Sequence, residues 1–385
     1  MPKTRLLWVL PIVAAVLFVV SSGATARTVT TPNSGLSTEL TIGTQGAVFT
    51  MTNAPSGNAV VAYLVGPGGS LIPAGSFATH GKGTGVSLAD SGSLALTDDH
   101  QYLLVVNAES NTITVFHVNS PSNLGPLLSF VDAVGSHGTL PVSIAVHGPL
   151  VYVLNAGTSL VPGNIFGFYL ADHGLLFPLP GSSRSLSTSA STAPAQIAFD
   201  PSGPVLVVTE KNTSVLDSYT VNYWGYASGP TVTPSNGLTP YGFAFGHNGT
   251  LIVSDAAAGA LTSYLVAPSG TLTVATPATP DGQTAACWVA TADGGRYAFT
   301  TNAHSNTIST YGVGLGGALT LLAGVAASTG PADTDMAVGG HGHFLFVYDA
   351  GAGEIQEFGI GSGASLTLHY DVFGLPATAE GLAAF

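Results

Sequence analysis

The chain has 385 residues, of which only 7% are charged, with 7 basic against 20 acidic side chains and a net charge of −13. An acidic surface without a basic cluster argues against nucleic acid and anionic membranes as partners. Hydrophobic residues make up 45% and glycines number 50, which excludes a disordered chain and fits many short strands joined by tight turns; the single cysteine, Cys287, excludes an internal disulfide.

In chain order, the first element is a leader. Lys3 and Arg5 precede an apolar run at 6–20, and Ala24-Thr25-Ala26 supplies the small residues that a signal peptidase reads. Cleavage is expected after Ala26. The apolar run falls short of the ~20 residues that span a bilayer. No membrane attachment is therefore expected after cleavage, and the protein is expected to be secreted or to lie in the periplasm or cell envelope. Residues 27–46 read as a linker and 47–385 as one domain. The mature chain keeps Arg27, Lys82, Arg184, Lys211 and Arg296 against 20 acids, a net charge of −15.

Past the leader, a repeat recurs. Residues 104–116 and 299–311 share an Asn-Ala-x-Ser-Asn-Thr turn between two short β runs, the pattern of a hairpin. Degenerate copies at 207–219, 252–264 and 346–358 keep an aromatic nine residues after the last residue of the first run; the copies at 53–63 and 155–168 carry insertions. A strand precedes each hairpin, as at 195–199 and 240–245, and one follows it after a glycine, as at 270–274. Four strands in about 50 residues indicate a propeller blade. Seven hairpins predict an all-β, seven-bladed propeller with four-stranded antiparallel blades. The first hairpin lacks an inner strand, and residues 380–385 resemble one. The C-terminal strand is thus expected to join the N-terminal blade and close the ring, leaving no open edge.

Several of these segments carry a family resemblance. Thr209-Glu210-Lys211-Asn212, the run at 193–199, Ala286-Cys287-Trp288 and the Asn-Ala-x-Ser-Asn-Thr hairpins together resemble the lactonase-like seven-bladed propellers, which include bacterial 6-phosphogluconolactonases and carboxymuconate cyclases. The likeness spans essentially the whole mature chain. It implies the propeller fold and points less specifically to an activity, because one fold hosts many functions.

Blade topology locates the candidate site. The turns between second and third strands open on the same face as the links between blades. The ends of the second strands, Asn53, Asn107, Asn155, Glu210, Asp255, Asn302 and Asp349, are expected to ring that mouth. The links add His80, Lys82, His137, Arg184, Asp281, Asp333, Asp335 and Glu380. Most of the ring asparagines and aspartates read as turn caps. Glu210 is a poor turn residue, and the resemblance places it in a Thr-Glu-Lys motif, so it is the candidate acid/base. Arg184, with its planar fork of donors, is the candidate carboxylate anchor. The two are expected to face each other across one small ligand, with Lys211, His137, Asn155, Asp255, His304 and Asn302 as further ligand-binding candidates. Cys287, beside Trp288, reads as buried filler. His341-Gly-His343 has metal-like spacing without companions and reads as a surface turn, so no metal and no cofactor are expected.

Two functions stay open. One is an exported enzyme that opens or forms a small lactone. Arg296 falls on the opposite face and leaves Arg184 as the one arginine at the mouth, where the cyclases need more, and the negative charge repels a phosphorylated substrate. The other is a non-catalytic binding or scaffold propeller of the cell envelope. Either takes a small molecule or glycan at the mouth, and the protein is expected to be a monomer.

Overall fold

The computed structural model describes residues 43–121, 125–188 and 191–385. The expected leader, its cleavage point and most of the linker lie outside the described residues.

Seven antiparallel sheets form the seven blades of a propeller. Blade 4 shows the plan: Pro194–Phe199 is innermost, followed outward by Val205–Glu210, Val215–Val221 and Ala227–Pro234. Blades 2, 3, 5, 6 and 7 span 94–135, 141–185, 240–280, 286–328 and 333–373. Blade 1 is built from both ends of the chain. Its innermost strand is Glu380–Ala384, paired antiparallel with Ala47–Met51 in the register Val48↔Ala384, Phe49↔Ala383 and Met51↔Glu380. The same strand packs on the innermost strands of blades 2 and 7, so the expected closure is the observed one.

Burial follows position in the blade. Val205–Glu210 is buried along its whole length, because a blade is covered on both faces by its neighbours. The outer strand Ala227–Pro234 is largely exposed. The repeating aromatic of the third strand fills the gap between blades: Phe116, Phe168, Tyr219, Tyr264, Tyr311 and Phe358 are all at most 1% exposed. Where it is tyrosine in blades 4, 5 and 6, the hydroxyl meets the end of the preceding blade or the link leading from it into its own. Tyr219 donates to the Ser185 carbonyl (2.8 Å), Tyr311 donates to the Thr279 carbonyl (2.9 Å), and Tyr264 accepts from the Asn236 amide (2.8 Å). Each ring contributes roughly 2–3 kcal/mol of apolar burial without leaving its polar tip unpaired.

Near the axis the innermost strands approach closely. A Cβ on Gly242 would lie 2.7 Å from the Cys287 carbonyl oxygen, so only glycine fits there. Ser254 bridges the same two strands, donating to the Gly242 (2.9 Å) and Cys287 (2.5 Å) carbonyls.

Candidate active site at the propeller axis

The front face carries the links between blades and the turns between second and third strands. The longest link, 79–93, runs from blade 1 to blade 2. It does not skirt the rim but crosses the axis. Ile144 N donates to the Gly92 carbonyl (2.9 Å) and Ser143 Oγ to the Ser91 carbonyl (2.7 Å), both from blade 3. Ser91 N donates to Ala195 of blade 4 (3.0 Å), and Trp288 Nε1 of blade 6 donates to the Asp90 carbonyl (2.8 Å). Leu88 N donates to Glu380 Oε1 of blade 1 (2.9 Å).

Beneath this lid lies a cluster of charge. Asp90, Asp335 and Glu380 are at most 3% exposed. Lys211 directs Nζ to the Ala89 carbonyl and lies 4.7 Å from the centre of the Tyr241 ring, which packs edge-on against Trp288. Burial raises both Asp335 and Glu380 to about 7, Asp335 in spite of the backbone amides of Leu382 and Met336 that hydrogen-bond its carboxylate. Burial, reinforced by Glu380 and Asp335, holds Asp90 well above the ordinary carboxyl range. Burial lowers Lys211 to about 8, with Asp90 opposing. Buried acids that titrate near neutrality beside a cation are the groups acid–base chemistry uses. Cys287, beside them, is pushed up to about 12 by burial and is no nucleophile at neutral pH.

The residues singled out in the sequence are distributed differently. Glu210 ends its strand with no exposed surface, and its carboxylate accepts from Ser187 N (2.9 Å), Ser187 Oγ (2.5 Å) and Thr213 Oγ1. It also hydrogen-bonds Asp217, which burial and Glu210 together raise to about 8. Its oxygens fasten the link from blade 3 to blade 4 and present nothing to the mouth. Arg184 lies on the outer edge of blade 3, paired with Ile165, and its Nη1 donates to the carbonyls of Gly181 (2.9 Å) and Ser183 (2.6 Å). Glu210 and Arg184 therefore share no open surface: one is sealed between blades and the other is tied to its own loop.

The ring residues all have no exposed surface. Asp255 accepts from Thr262 and Ser235 and is raised by burial to about 6. Asn302 donates to Ser309 Oγ (2.8 Å), and Asn155 to the Ser136 carbonyl (3.2 Å). They cap turns between blades. His137 is exposed and stacks on Phe166 at 4.2 Å, and His304 is exposed in a blade 6 turn; neither reaches the axis cluster by any described contact. Of the expected site, Lys211 alone joins the cluster. Asp335 and Glu380 were legible as charges on this face, although each lies in an innermost strand and not in a link as expected; Asp90 and Tyr241 were missed. The unusual length of the 79–93 link was the available signal for Asp90.

Open clefts of about 540 Å³ lie on the back face, one between blades 2 and 3 around Asp98 and His173, one between blades 6 and 7 around Tyr297 and His343. Neither includes an axis residue.

No protein-family model matches the sequence, and no curated protein matches it. Solved structures do match in fold. A candidate 6-phosphogluconolactonase of Bacteroides fragilis aligns with 89% of this chain and 98% of its own (TM-score 0.68, 16% identity). The periplasmic gluconolactonase of Pseudomonas aeruginosa aligns with 88% of this chain and 98% of its own (TM-score 0.70, 15% identity). Virginiamycin B lyase of Staphylococcus aureus is more distant, covering 77% of this chain and 88% of its own (TM-score 0.52, 13% identity). The chain has the fold of the lactonase-like seven-bladed propellers. Among the described residues no helix is long and apolar enough to cross a membrane.

Proposed function

We propose that the protein is an exported lactonase-type propeller that hydrolyses a small uncharged lactone at its axis. The observation that carries this reading is the convergence of Lys211 with Asp90, Asp335 and Glu380 under one lid. In the proposed reaction an ionised carboxylate of the Asp335/Glu380 group takes a proton from water, which attacks the lactone carbonyl. The Lys211 ammonium stabilises the oxyanion. The carbonyl–ring oxygen bond then breaks, and a protonated carboxyl of the same group supplies the proton to the leaving oxygen, giving the open hydroxy acid. Acids titrating near 7 hold both protonation states at neutral pH. Three acids against one lysine disfavour a phosphorylated substrate, so the unphosphorylated aldonolactones suggested by the periplasmic neighbour are the first choice. Substrate enters when residues 87–92 lift.

The test is acid release from glucono-lactone and from its 6-phospho form. Turnover of the uncharged lactone is expected, with Glu380→Gln slower by on the order of 10²–10⁴-fold and equally folded. A wild-type protein that opens neither lactone overturns the proposal.

A second reading, a non-catalytic binding propeller, draws on one observation. Tyr223 and Trp224, packed edge-to-face at 5.2 Å, are 92% and 74% exposed on a turn of blade 4, an arrangement suited to stacking on a sugar ring. Retention of the protein on a neutral glycan, lost in Trp224→Ala, would favour it.

A further inference from the structure

The residue just before the third-strand aromatic has a repeated task. In blade 4 it is Ser218, whose Oγ donates to the carbonyl of Gly270 in the outer turn of blade 5 (2.5 Å). In blade 5 it is Ser263, which donates to Gly317 of blade 6 (2.5 Å). In blade 3 it is Gly167, and the Tyr152 hydroxyl fills the vacated space and donates to Gly225 of blade 4 (2.7 Å). Three successive interfaces are thus bolted by a hydroxyl that donates to the carbonyl of a turn glycine in the next blade.

At the interface between blades 7 and 1, the same position is Glu357. It has no exposed surface. A Cβ on Gly69, in the outer turn of blade 1, would lie 2.5 Å from its Cδ, so the carboxyl rests on the glycine backbone. Neither carboxyl oxygen has a hydrogen-bond partner. His369 approaches from the outer strand of blade 7, with Nδ1 3.4 Å from Oε1 but without hydrogen-bond alignment. Tyr370, on that strand, places its hydroxyl 3.9 Å from a Cβ position on Gly68. The blade 1 turn, Pro67–Gly69, carries no ionisable side chain, and the second-strand neighbour in register is Phe346.

A carboxylate cannot donate, whereas a carboxylic acid can. We propose that Glu357 is a proton-operated latch at the ring closure: protonated, it donates to the Gly69 carbonyl as the serines do elsewhere; ionised, it lets that turn go. The location gives the latch its consequence. Blades 7 and 1 meet where the ring is closed by strand pairing between the two ends of the chain, so a loosened bolt there acts on the seam. Burial raises Glu357 to about 7, which places the transition in a physiological range.

Hydrogen exchange of the backbone amides at 67–71, corrected for the intrinsic pH dependence, tests this in the whole mature chain. Protection in the wild type is expected to fall at least about tenfold between pH 5.5 and 8.5, the factor of one pKa unit. Glu357→Gln keeps an N–H donor at every pH and should abolish the fall. His369→Gln should leave it in place. If Glu357→Gln does not fold, Glu357→Ser, which copies blades 4 and 5, is expected to give the same flat profile. An unchanged fall in the Glu357 variant, or its disappearance in His369→Gln, overturns the latch; the latter result would assign the switch to a histidine–glutamate ion pair.

Discussion

Glu210 and Lys211 are adjacent in sequence and meet opposite fates. Successive side chains on a strand point to opposite sides. At the end of Val205–Glu210 this sends the carboxylate between blades, to Ser187 and Thr213, and leaves the next side chain free to reach Tyr241 and the lid. Substitutions separate the two roles. Glu210→Gln places an amide against the Ser187 N–H and breaks the carboxyl–carboxyl bond to Asp217. We expect a loss of about 1–3 kcal/mol of stability, read by urea unfolding, with unchanged hydrolysis per folded molecule. Lys211→Met removes the axis cation and should lower turnover by on the order of 10²-fold. The reverse pattern, with Glu210→Gln inactive and Lys211→Met fully active, would return the chemistry to the mouth of blade 4.

Two elements govern the site and the ring. The 79–93 link spends its polar backbone on the axis, with Trp288 Nε1 as one of its ties. Trp288→Phe keeps the aromatic packing on Tyr241 and removes that tie, at a cost of about 1 kcal/mol. Faster exchange of the amides at 87–92 is the expected result; unaltered exchange would mean that the lid is held by its other bonds. The C-terminal strand is the second element. Leu382 is buried, and its N–H donates to Asp335 Oδ2, so the strand both closes blade 1 and positions an axis acid. Deleting 381–385 bares the inner edge of Ala47–Met51, and we expect loss of soluble monomer in size-exclusion chromatography.

At the scale of the molecule, twelve acidic side chains are buried among the described residues, and Lys211 is the one lysine or arginine in the axis cluster. The acids solve this by sharing protons or by raised affinity for them. Asp349, buried and bonded to Asp333, is raised to about 9, Asp217 to about 8, and Asp335, Glu357 and Glu380 to about 7. Each acid binds its proton more tightly folded than unfolded, where carboxyls titrate near 4. Their contribution is therefore fully present below about pH 4 and is lost as the pH rises through the folded values, from 7 to about 9. Lys211, lowered to about 8, acts in the opposite sense only above that pH. The melting temperature should fall between pH 5 and pH 9; a rise over that span would show that the carboxyls are ionised in the fold without penalty.

The repeat of hairpins with an aromatic nine residues on was enough to specify blades, their number and the closing strand. Those features are local: alternation, turn residues and one large ring per repeat recur at fixed spacing, and strand 380–384 carries the pattern of its six counterparts. The faces on which Asp335, Glu380 and Lys211 fall were legible for the same reason. What the axis contains was not local. Asp90 reaches it because a long link turns inward across the ring, and Tyr241 meets Lys211 from the neighbouring blade. Arg184, read as part of a link, instead extends the edge of blade 3. Whether a charged side chain at a strand end faces solvent, a neighbouring blade or the axis depends on how seven sheets pack around one centre, and only the tertiary structure decides that.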